Sequence, residues 1–274
     1  MAKINRRLTT IYAFCIAFVL LALIHKSVRA FGAKCHFGVC DVRFSHRLLH
    51  IDSLSESDSE MLFLISQYRD SISQSLSRVL CQSNEIMDAY RPESSEMRVL
   101  SDVMLAQMQK YADENNLPSP TFAMINVGGI RTILPQGPVT LGDVFQIAPF
   151  ENYGVIVEVD SACIRKIMNH VALRGGEALS GCKITIEDTI ATNITIAGKP
   201  LQSGVVYRLA TLDYLVDGGD AFDMFWGCKR YDSQALFRNM IVDYFTTFGQ
   251  KNIAIKDPAD QRIFIRKHKT NQAL

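Results

Sequence analysis

The sequence predicts a single α+β domain over residues 58–267, in which helices pack against a mixed sheet. The composition, 48% hydrophobic and 21% charged, is typical of a globular protein with a buried core. Amphipathic helical patterns come first in the chain, and strand-like runs with interspersed helices follow, an order that favours α+β architecture. A length of 274 residues allows one large domain or two small ones.

The first 30 residues have the pattern of a targeting segment. Residues 3–7 are basic and residues 8–24 are almost wholly apolar, with Lys26, Arg29 and the small residue Ala30 behind them. The apolar run is shorter than the ~20 residues that span a bilayer comfortably. We therefore expect residues 1–30 to be a signal peptide or a membrane anchor, and the protein to be exported, either periplasmic or anchored facing outside the cytoplasm. Residues 31–57 are expected to be a linker, and residues 268–274 a basic tail.

Charge and cysteine content narrow the class of protein. Outside residues 1–30 the chain carries 24 basic and 28 acidic side chains, which argues against binding to a nucleic acid polymer. Six cysteines remain outside the targeting segment and could form disulfides in an oxidising compartment: Cys35, Cys40, Cys81, Cys163, Cys182 and Cys228. Cys35 and Cys40 form the favoured local pair, and the others are left unassigned. A zinc site at Cys35, His36 and Cys40 is less favoured, because no second ligand pair has finger spacing.

The elements follow from periodicity and from stop signals. Apolar residues at helical spacing predict helices over 58–81, 96–115, 161–173 and 232–248. Asn115, the Gly175–Gly176 pair and Gly249 supply helix stops. Apolar or alternating runs predict strands over 121–127, 143–149, 154–159, 182–187, 193–197, 206–215 and 262–266.

Common catalytic patterns are missing from the sequence. The chain has six histidines, and none stands in the HExxH, DxH or NH[DE] spacing that metal sites use. Neither GxxxxGK[ST] nor GxSxG occurs. His170 could be combined with a nearby residue into a Ser/His/Asp or Cys/His arrangement, but a lone histidine on a helix is more often a surface or satisfied polar group. We therefore predict no catalytic residue, no metal ligand and no cofactor in this chain.

Two glycine pairs at strand ends are the strongest candidates for a binding site. The first lies in Asn126-Val127-Gly128-Gly129-Ile130-Arg131 and the second in Tyr214-Leu215-Val216-Asp217-Gly218-Gly219-Asp220. Glycine allows positive φ and close approach of the backbone, so each pair can turn the chain and aim the next side chain at a ligand. Between them, Ala148-Pro149-Phe150-Glu151-Asn152 predicts a turn that presents an aromatic ring and an amide.

These motifs, NVGGIR, VTLGDVFQIAPFEN and YRLATLDYLVDGGDAF in that order, resemble the C-terminal, substrate-binding domain of the 5′-nucleotidase family. The resemblance covers about residues 60–266. It implies an α+β domain that clamps a nucleotide base between two aromatic rings, here Phe150 and Tyr214. Stacking on an aromatic ring accepts any base, since every base has a π face. Many family members have phenylalanine where this chain has Tyr214.

The resemblance also implies roles for the polar residues. Arg131 would meet phosphate or ribose oxygens, because its planar guanidinium suits bidentate contacts. Asp220 would accept hydrogen bonds from ribose hydroxyls, and Asn126 and Asn152 would contact base or ribose. Arg91 matches a family arginine only after a one-residue slip. Other interpretations stay open: Phe150 and Tyr214 as core aromatics, Asp220 as a turn cap, Arg131 in a surface ion pair. The remaining predicted binding residues are the glycines Gly128, Gly129, Gly218 and Gly219.

Full-length members of the family carry a metallophosphoesterase domain with two metal ions before this domain, and its DxH, GNH[DE] and HxH signatures have no counterpart here. We therefore expect a divalent metal pair on a separately encoded metallophosphoesterase partner, and no phosphoester hydrolysis by this chain alone. Three functions stay open: the specificity subunit of a split exported 5′-nucleotidase or nucleotide-sugar hydrolase, a stand-alone nucleoside or nucleotide binder, and an interaction scaffold with a decayed pocket.

Overall fold

The computed structural model describes residues 58–266. In this range the α-helices are α1 Ser59–Leu76, α2 Ser95–Glu114, α3 Leu141–Ile147, α4 Ser161–Leu173, α5 Asp213–Val216 and α6 Phe237–Gln250. The strands are β1 Val79–Ser83, β2 Phe122–Ile125, β3 Gly137–Thr140, β4 Tyr153–Asp160, β5 Ala178–Ser180, β6 Cys182–Glu187, β7 Ile190–Ile196, β8 Lys199–Pro200, β9 Val206–Leu212, β10 Arg230–Leu236 and β11 Ile263–Arg266. The α+β class predicted from the sequence is confirmed.

A five-stranded mixed sheet has the order β10-β4-β9-β2-β5. β9 and β2 run parallel, and the other neighbouring pairs are antiparallel. The carboxyl ends of β2, β9 and β10 therefore meet the amino ends of β4 and β5 at one edge. A four-stranded sheet, β11-β6-β7-β8, and a two-stranded pair, β1 and β3, complete the strands of the described range.

Helix α2 supplies much of the core beside the central sheet. It contacts β2, β4, β5 and β9 as well as α6. Leu100, Met104 and Met108 on its inner face are fully buried. Burying a side chain of this size contributes about 1.5–3 kcal/mol. The predicted helix over 96–115 is thus confirmed to within one residue at each end, as is the helix over 161–173.

The helix predicted over 58–81 ends earlier than its periodicity indicates. α1 stops at Leu76, and Val79–Ser83 instead pairs antiparallel with Gly137–Thr140 as β1. Leu62 and Ile65 on α1 are exposed, although their spacing predicted a packed face. Long-range pairing with β3 overrides the local helical period here.

The strand predicted over 143–149 is wrong, because residues Leu141–Ile147 form α3. Thr140 and Asp143 make a capping box: the Thr140 side chain accepts from the Asp143 N–H, and the Asp143 carboxylate accepts from the Thr140 N–H at 2.7 Å. This reciprocal cap satisfies two free donors at the helix start and fixes it. The pattern Thr-x-x-Asp was visible in the sequence, but the apolar run behind it was interpreted as a strand.

Two further boundaries differ from the prediction. The strand over 206–215 ends at Leu212, and Asp213–Val216 forms the short helix α5. The helix predicted from Asp232 starts at Phe237, because Asp232 belongs to β10 and lies opposite Val155 of β4. Within residues 58–266, no helix combines the length and the apolar character needed to cross a bilayer. The predicted targeting segment and linker, as well as Cys35 and Cys40, lie outside the described residues.

Candidate functional site

The candidate binding residues gather at the edge of the central sheet where five strand ends meet. Asn126 follows β2 directly, and Tyr214 comes two residues after the end of β9. Because β2 and β9 are parallel neighbours, both residues leave the sheet at the same edge. β4 is antiparallel to β9, so Phe150 and Asn152, which precede it, reach that edge too. Ligands commonly bind beyond such strand ends in sheets with helices around them.

Asp220 is the hydrogen-bonding centre of this edge. Its Oδ2 accepts from Asn126 Nδ2 at 3.0 Å and from Arg174 Nη2 at 2.9 Å. Its Oδ1 accepts from the Tyr214 hydroxyl at 3.2 Å, and its backbone oxygen accepts from His170 Nε2 at 2.9 Å. The backbone of Asp220 has a φ of 54°, in the left-handed region that residues other than glycine seldom adopt. These bonds hold the carboxylate in place despite that strain.

The buried carboxylate of Glu177 supports Asp220 through Arg174. Glu177 has no exposed side-chain surface, and its Oε1 accepts from Arg91 Nη2 and from Arg174 Nε, both at 2.6 Å. Its Oε2 accepts from the Val127 N–H at 2.6 Å. Arg174 thus bridges Glu177 and Asp220. Burial alone would lower the pKa of Arg174, but hydrogen bonding to Glu177 and the charges of both carboxylates raise it above its ordinary value.

The two aromatic rings are exposed rather than buried in the core. Phe150 is 47% exposed and Tyr214 is 41% exposed, which excludes the interpretation that they are core aromatics. Phe150 lines a small cleft together with Asn126, Gly129 and Asn152. Asn126 is therefore shared, since it lines the cleft beside Phe150 and also bonds Asp220, whose other oxygen meets Tyr214.

Arg131 lies next to Phe150 with an exposed side chain. Its guanidinium carbon is 6.0 Å from the centre of the Phe150 ring. The backbone N–H of Arg131 donates to the Ile147 carbonyl at the end of α3 at 2.9 Å. Nη1 makes a long bond of 3.4 Å to the Gly128 carbonyl. No ion pair of Arg131 occurs within residues 58–266, which disfavours the surface ion pair as its role.

The two glycine pairs differ in backbone conformation and in how closely other atoms pack against them. Gly128 and Gly129 form a tight 3₁₀ turn without positive φ, so close approach rather than dihedral freedom is the use of glycine in the first pair, where a Cβ on Gly129 would lie 3.1 Å from Asn126 Oδ1. Gly218 does adopt a φ of 93°. A Cβ added to Gly219 would overlap the carbonyl oxygen and ring of Tyr214. The second pair therefore requires glycine, once for its dihedral angle and once for close packing against Tyr214.

Arg91 reaches the site only indirectly. It donates from Nε to the Gly176 carbonyl at 2.8 Å and pairs with Glu177, so in this structure it belongs to the supporting network. The sequence interpretation missed Glu177 and Arg174, and it took His170 for a surface or satisfied polar group without connecting it to Asp220. The available signal was β5, three residues long, whose amino end brings Glu177 to the same sheet edge.

The described part of the chain holds no group of three or more His, Cys, Asp or Glu side chains that would suit a metal ion. The edge of the sheet therefore offers carboxylate, amide and guanidinium groups with two exposed rings, a combination suited to a polar ligand that carries a flat apolar ring.

Comparison with known proteins agrees with this architecture. The family model described as 5′-nucleotidase, C-terminal domain, matches residues 76–227, more than half of the chain. The chain belongs to this family. It is 24% identical over 174 residues to a 5′-nucleotidase of Vibrio cholerae, with 61% of this chain and 30% of the relative covered. Protein UshA of Yersinia enterocolitica is 24% identical over 184 residues, with 65% of this chain and 32% of that protein covered.

A solved structure shares the fold. The 5′-nucleotidase precursor from Thermus thermophilus superposes with a TM-score of 0.65 at 18% identity, covering 74% of this chain and 42% of that one. The chain spans about a third of the length of the curated relatives it matches.

Proposed function

We propose that this chain is the nucleotide-binding part of an exported 5′-nucleotidase whose metallophosphoesterase is a separate polypeptide. The observation that carries the proposal is Asp220, held by Asn126, Arg174 and the exposed Tyr214, with Phe150 exposed in the cleft that Asn126 also lines. The family match supports the nucleotidase class. Export is supported by the basic and apolar pattern of residues 1–30.

The geometry supports a separate binding role for each group in the site. A carboxylate offers about four lone-pair positions, and Asp220 uses two at Oδ2 and one at Oδ1 for bonds within the chain. One position at Oδ1 is left for a ribose hydroxyl. The faces of Phe150 and Tyr214 would hold the base, and the exposed guanidinium of Arg131 would contact phosphate oxygens. Asn126 and Asn152, beside Phe150 in the cleft, would contact base or ribose.

Hydrolysis itself needs groups that these 274 residues do not offer in sequence. A metallophosphoesterase uses two metal ions to activate water and to stabilise the phosphate during in-line displacement. In the proposed complex the present chain contributes positioning, which lowers the barrier by holding the substrate in a reactive geometry. The metal pair and its ligands would come from the partner.

A titration tests the binding half of the proposal. Isothermal titration of the purified full chain with AMP, adenosine and UDP-glucose should show saturable binding of at least one of them. Replacing Phe150 or Tyr214 by leucine keeps an apolar side chain but removes the π face, and should raise the Kd roughly 5- to 150-fold. Phe145→Leu, an exposed aromatic of α3 beside Arg238, is the matched control and should leave the Kd unchanged. Equal binding by all three variants and wild type would refute the clamp.

A second assay tests whether phosphate release requires the metallophosphoesterase partner. The purified chain with added Mn²⁺, Zn²⁺ or Mg²⁺ should release no phosphate from AMP, whereas addition of an exported metallophosphoesterase from the same organism should give turnover that depends on Phe150 and Tyr214. Metal-dependent release by the chain alone, after removal of contaminants, would overturn the proposal. Binding without any gain in turnover would instead favour a stand-alone nucleotide binder.

A further inference from the structure

Two of the cysteines left unassigned by the sequence lie against each other in the structure. Cys163 is in the first turn of α4, where its N–H donates to the Asp160 side chain at 2.7 Å. Cys228 is in the loop between the glycine turn of the site and β10. These two residues are 65 positions apart in sequence, so their proximity is a property of the fold.

The position of the two sulfur atoms is defined by one common acceptor. Cys163 Sγ donates to the Met224 carbonyl oxygen at 3.3 Å, and Cys228 Sγ approaches the same oxygen at 3.8 Å. The two thiols also interact directly. Burial first, and then the charge and hydrogen bonding of Cys228, raise the pKa of the Cys163 thiol to about 12.

The surroundings allow the short movement that a covalent bond needs. Both cysteines are partly exposed, and Cys228 lines an open cavity of about 430 Å³. Gly227 precedes it with a φ of 79° and with no atom near the position of a Cβ, so the loop can adjust locally. A disulfide needs Cα atoms about 4.4–6.8 Å apart and Cβ atoms near 3.8 Å. The shared Met224 oxygen, within hydrogen-bond distance of both sulfur atoms, places the two thiols in the same neighbourhood.

The other described cysteines differ. Cys81 in β1 and Cys182 in β6 are both 3% exposed, and burial raises the pKa of each thiol to about 12. All four cysteines of the described range are free thiols, but Cys81 and Cys182 are more deeply buried than the pair and have no cysteine among the groups that shift their pKa. Oxidants reach such buried thiols poorly, so we expect Cys81 and Cys182 to stay reduced.

We propose that Cys163 and Cys228 form a structural disulfide when the protein is oxidised. The step transfers two electrons and two protons: the two thiols are oxidised to one S–S bond, and a disulfide of the glutathione or protein type is reduced to two thiols. In the cell this oxidant depends on the proposed export, but the geometry and the test below do not.

The bond would enclose much of the candidate site in one covalent ring. The ring spans residues 163–228 and includes Arg174, Glu177, Tyr214 and Asp220. It would tie the loop behind the Gly218–Gly219 turn to α4, the helix that presents His170 to Asp220. Thiols of high pKa are poor leaving groups, so the bond resists exchange and suits a structural role rather than a rapid switch.

Peptide mapping of the full chain tests the proposal without relying on any variant. The protein is incubated with oxidised glutathione, blocked with an alkylating agent and digested without reductant. We expect one cross-linked peptide pair that contains Cys163 and Cys228, lighter than the two separate peptides by two hydrogen atoms. Free alkylated thiols at both positions, or cross-links of either to a different cysteine, would overturn it.

Thermal unfolding gives the second readout. The oxidised wild type should unfold roughly 5–15 °C above the same protein with reductant. The double variant C163S/C228S should unfold near the reduced wild type and should lose most of the response to reductant, what remains being due to Cys35 and Cys40, whereas C182A should keep the full response. An identical melting temperature of wild type with and without reductant would contradict the proposal, even if nucleotide binding is intact. Loss of nucleotide binding with the disulfide present would instead count against the proposed function.

Discussion

The two sides of the candidate site are built differently. On the Asp220 side, a chain of charged hydrogen bonds runs from Arg91 through Glu177 and Arg174 to the carboxylate. On the Phe150 side, an exposed ring stands at the end of a turn. The Asn152 carbonyl accepts from the Phe237 N–H at 2.8 Å, and Arg131 approaches the ring from outside.

The difference indicates which part of the site is fixed before a ligand arrives. Charge-assisted bonds are about twice as strong as neutral ones, and a buried carboxylate with three donors holds its partners rigidly. We infer that the Asp220 side is preorganised for the sugar. The Phe150 side presents a surface that tolerates different bases, because stacking needs no specific hydrogen bond. The following substitutions test this contrast.

Replacing Glu177 should have the largest effect. Glu177→Gln removes a buried charge that neutralises Arg91 and Arg174, and should lower the free energy of unfolding by about 3–4 kcal/mol. Glu187→Gln, which loses a solvent-exposed pair with Arg266, should cost less than about 1 kcal/mol. Urea denaturation of both variants measures the difference. Equal midpoints would mean that the network does not hold this side of the site.

Replacing a second buried glutamate, Glu96, should raise the free energy of unfolding, whereas replacing Glu177 should lower it. Glu96 is fully buried, and within the described range neither carboxylate oxygen has a hydrogen bond of normal geometry, so the Leu134 backbone nearby lowers its pKa by less than burial raises it. Burial, and then the charge of Asp88, raise the pKa of Glu96 from 4.5 to about 8. The folded protein thus keeps a proton that the unfolded chain releases above pH 4.5, and stability falls as the pH rises towards 8.

Glu96→Gln should abolish that loss. We expect the variant to be more stable than wild type by roughly 3 kcal/mol at pH 7, and similar to it at pH 4.5. Thermal or urea unfolding across this pH range provides the measurement. A variant that is less stable than wild type at pH 7 would show that Glu96 is partnered as Glu177 is.

The glycine pairs should differ in their tolerance to alanine. Gly219→Ala places a Cβ against the Tyr214 carbonyl and ring, and should cost about 1–2 kcal/mol of stability and displace the ring from the site. Gly128→Ala adds a Cβ only 3.7 Å from Asn126 Nδ2, an ordinary contact, and should change stability by less than about 0.5 kcal/mol. Comparing melting temperatures separates the two. Similar losses at both positions would remove the distinction between the turns.

The hydroxyl of Tyr214 should matter least. Tyr214→Phe keeps the stacking face and removes only the 3.2 Å bond to Asp220, so the Kd for nucleoside should change by less than about 5-fold. Tyr214→Leu, which also removes the ring, should show the larger change. If phenylalanine weakens binding as much as leucine does, the hydroxyl rather than the ring is the main contact.

The sequence located the strand ends at this edge better than it located the elements around them. Apolar runs located β2, β4 and β9, and the residues at their ends, Asn126, Phe150 and Tyr214, do share one sheet edge. The end of a strand and the residues that follow it depend on a short stretch of sequence, so both can be predicted without knowing the tertiary structure. α3 was misread because a helix of one to two turns has too few residues for a clear period.

The supporting network could not be predicted in the same way. Glu177 bonds Arg91, 86 residues away, and Arg174 bonds Asp220, 46 residues away. Such pairs depend on which strands become neighbours, and no local period encodes that. β5 is three residues long, too short to register as a strand pattern, so the carboxylate at its amino end was not recognised.

The most direct test of the central claim is a crystal structure of the full chain with bound AMP. We predict the base between the rings of Phe150 and Tyr214, a ribose hydroxyl at Asp220 Oδ1, and the phosphate towards Arg131. AMP found only elsewhere, for example in the cavity of about 580 Å³ between β1 and the end of α6, would contradict the account. So would an unliganded sheet edge in crystals grown at millimolar nucleotide.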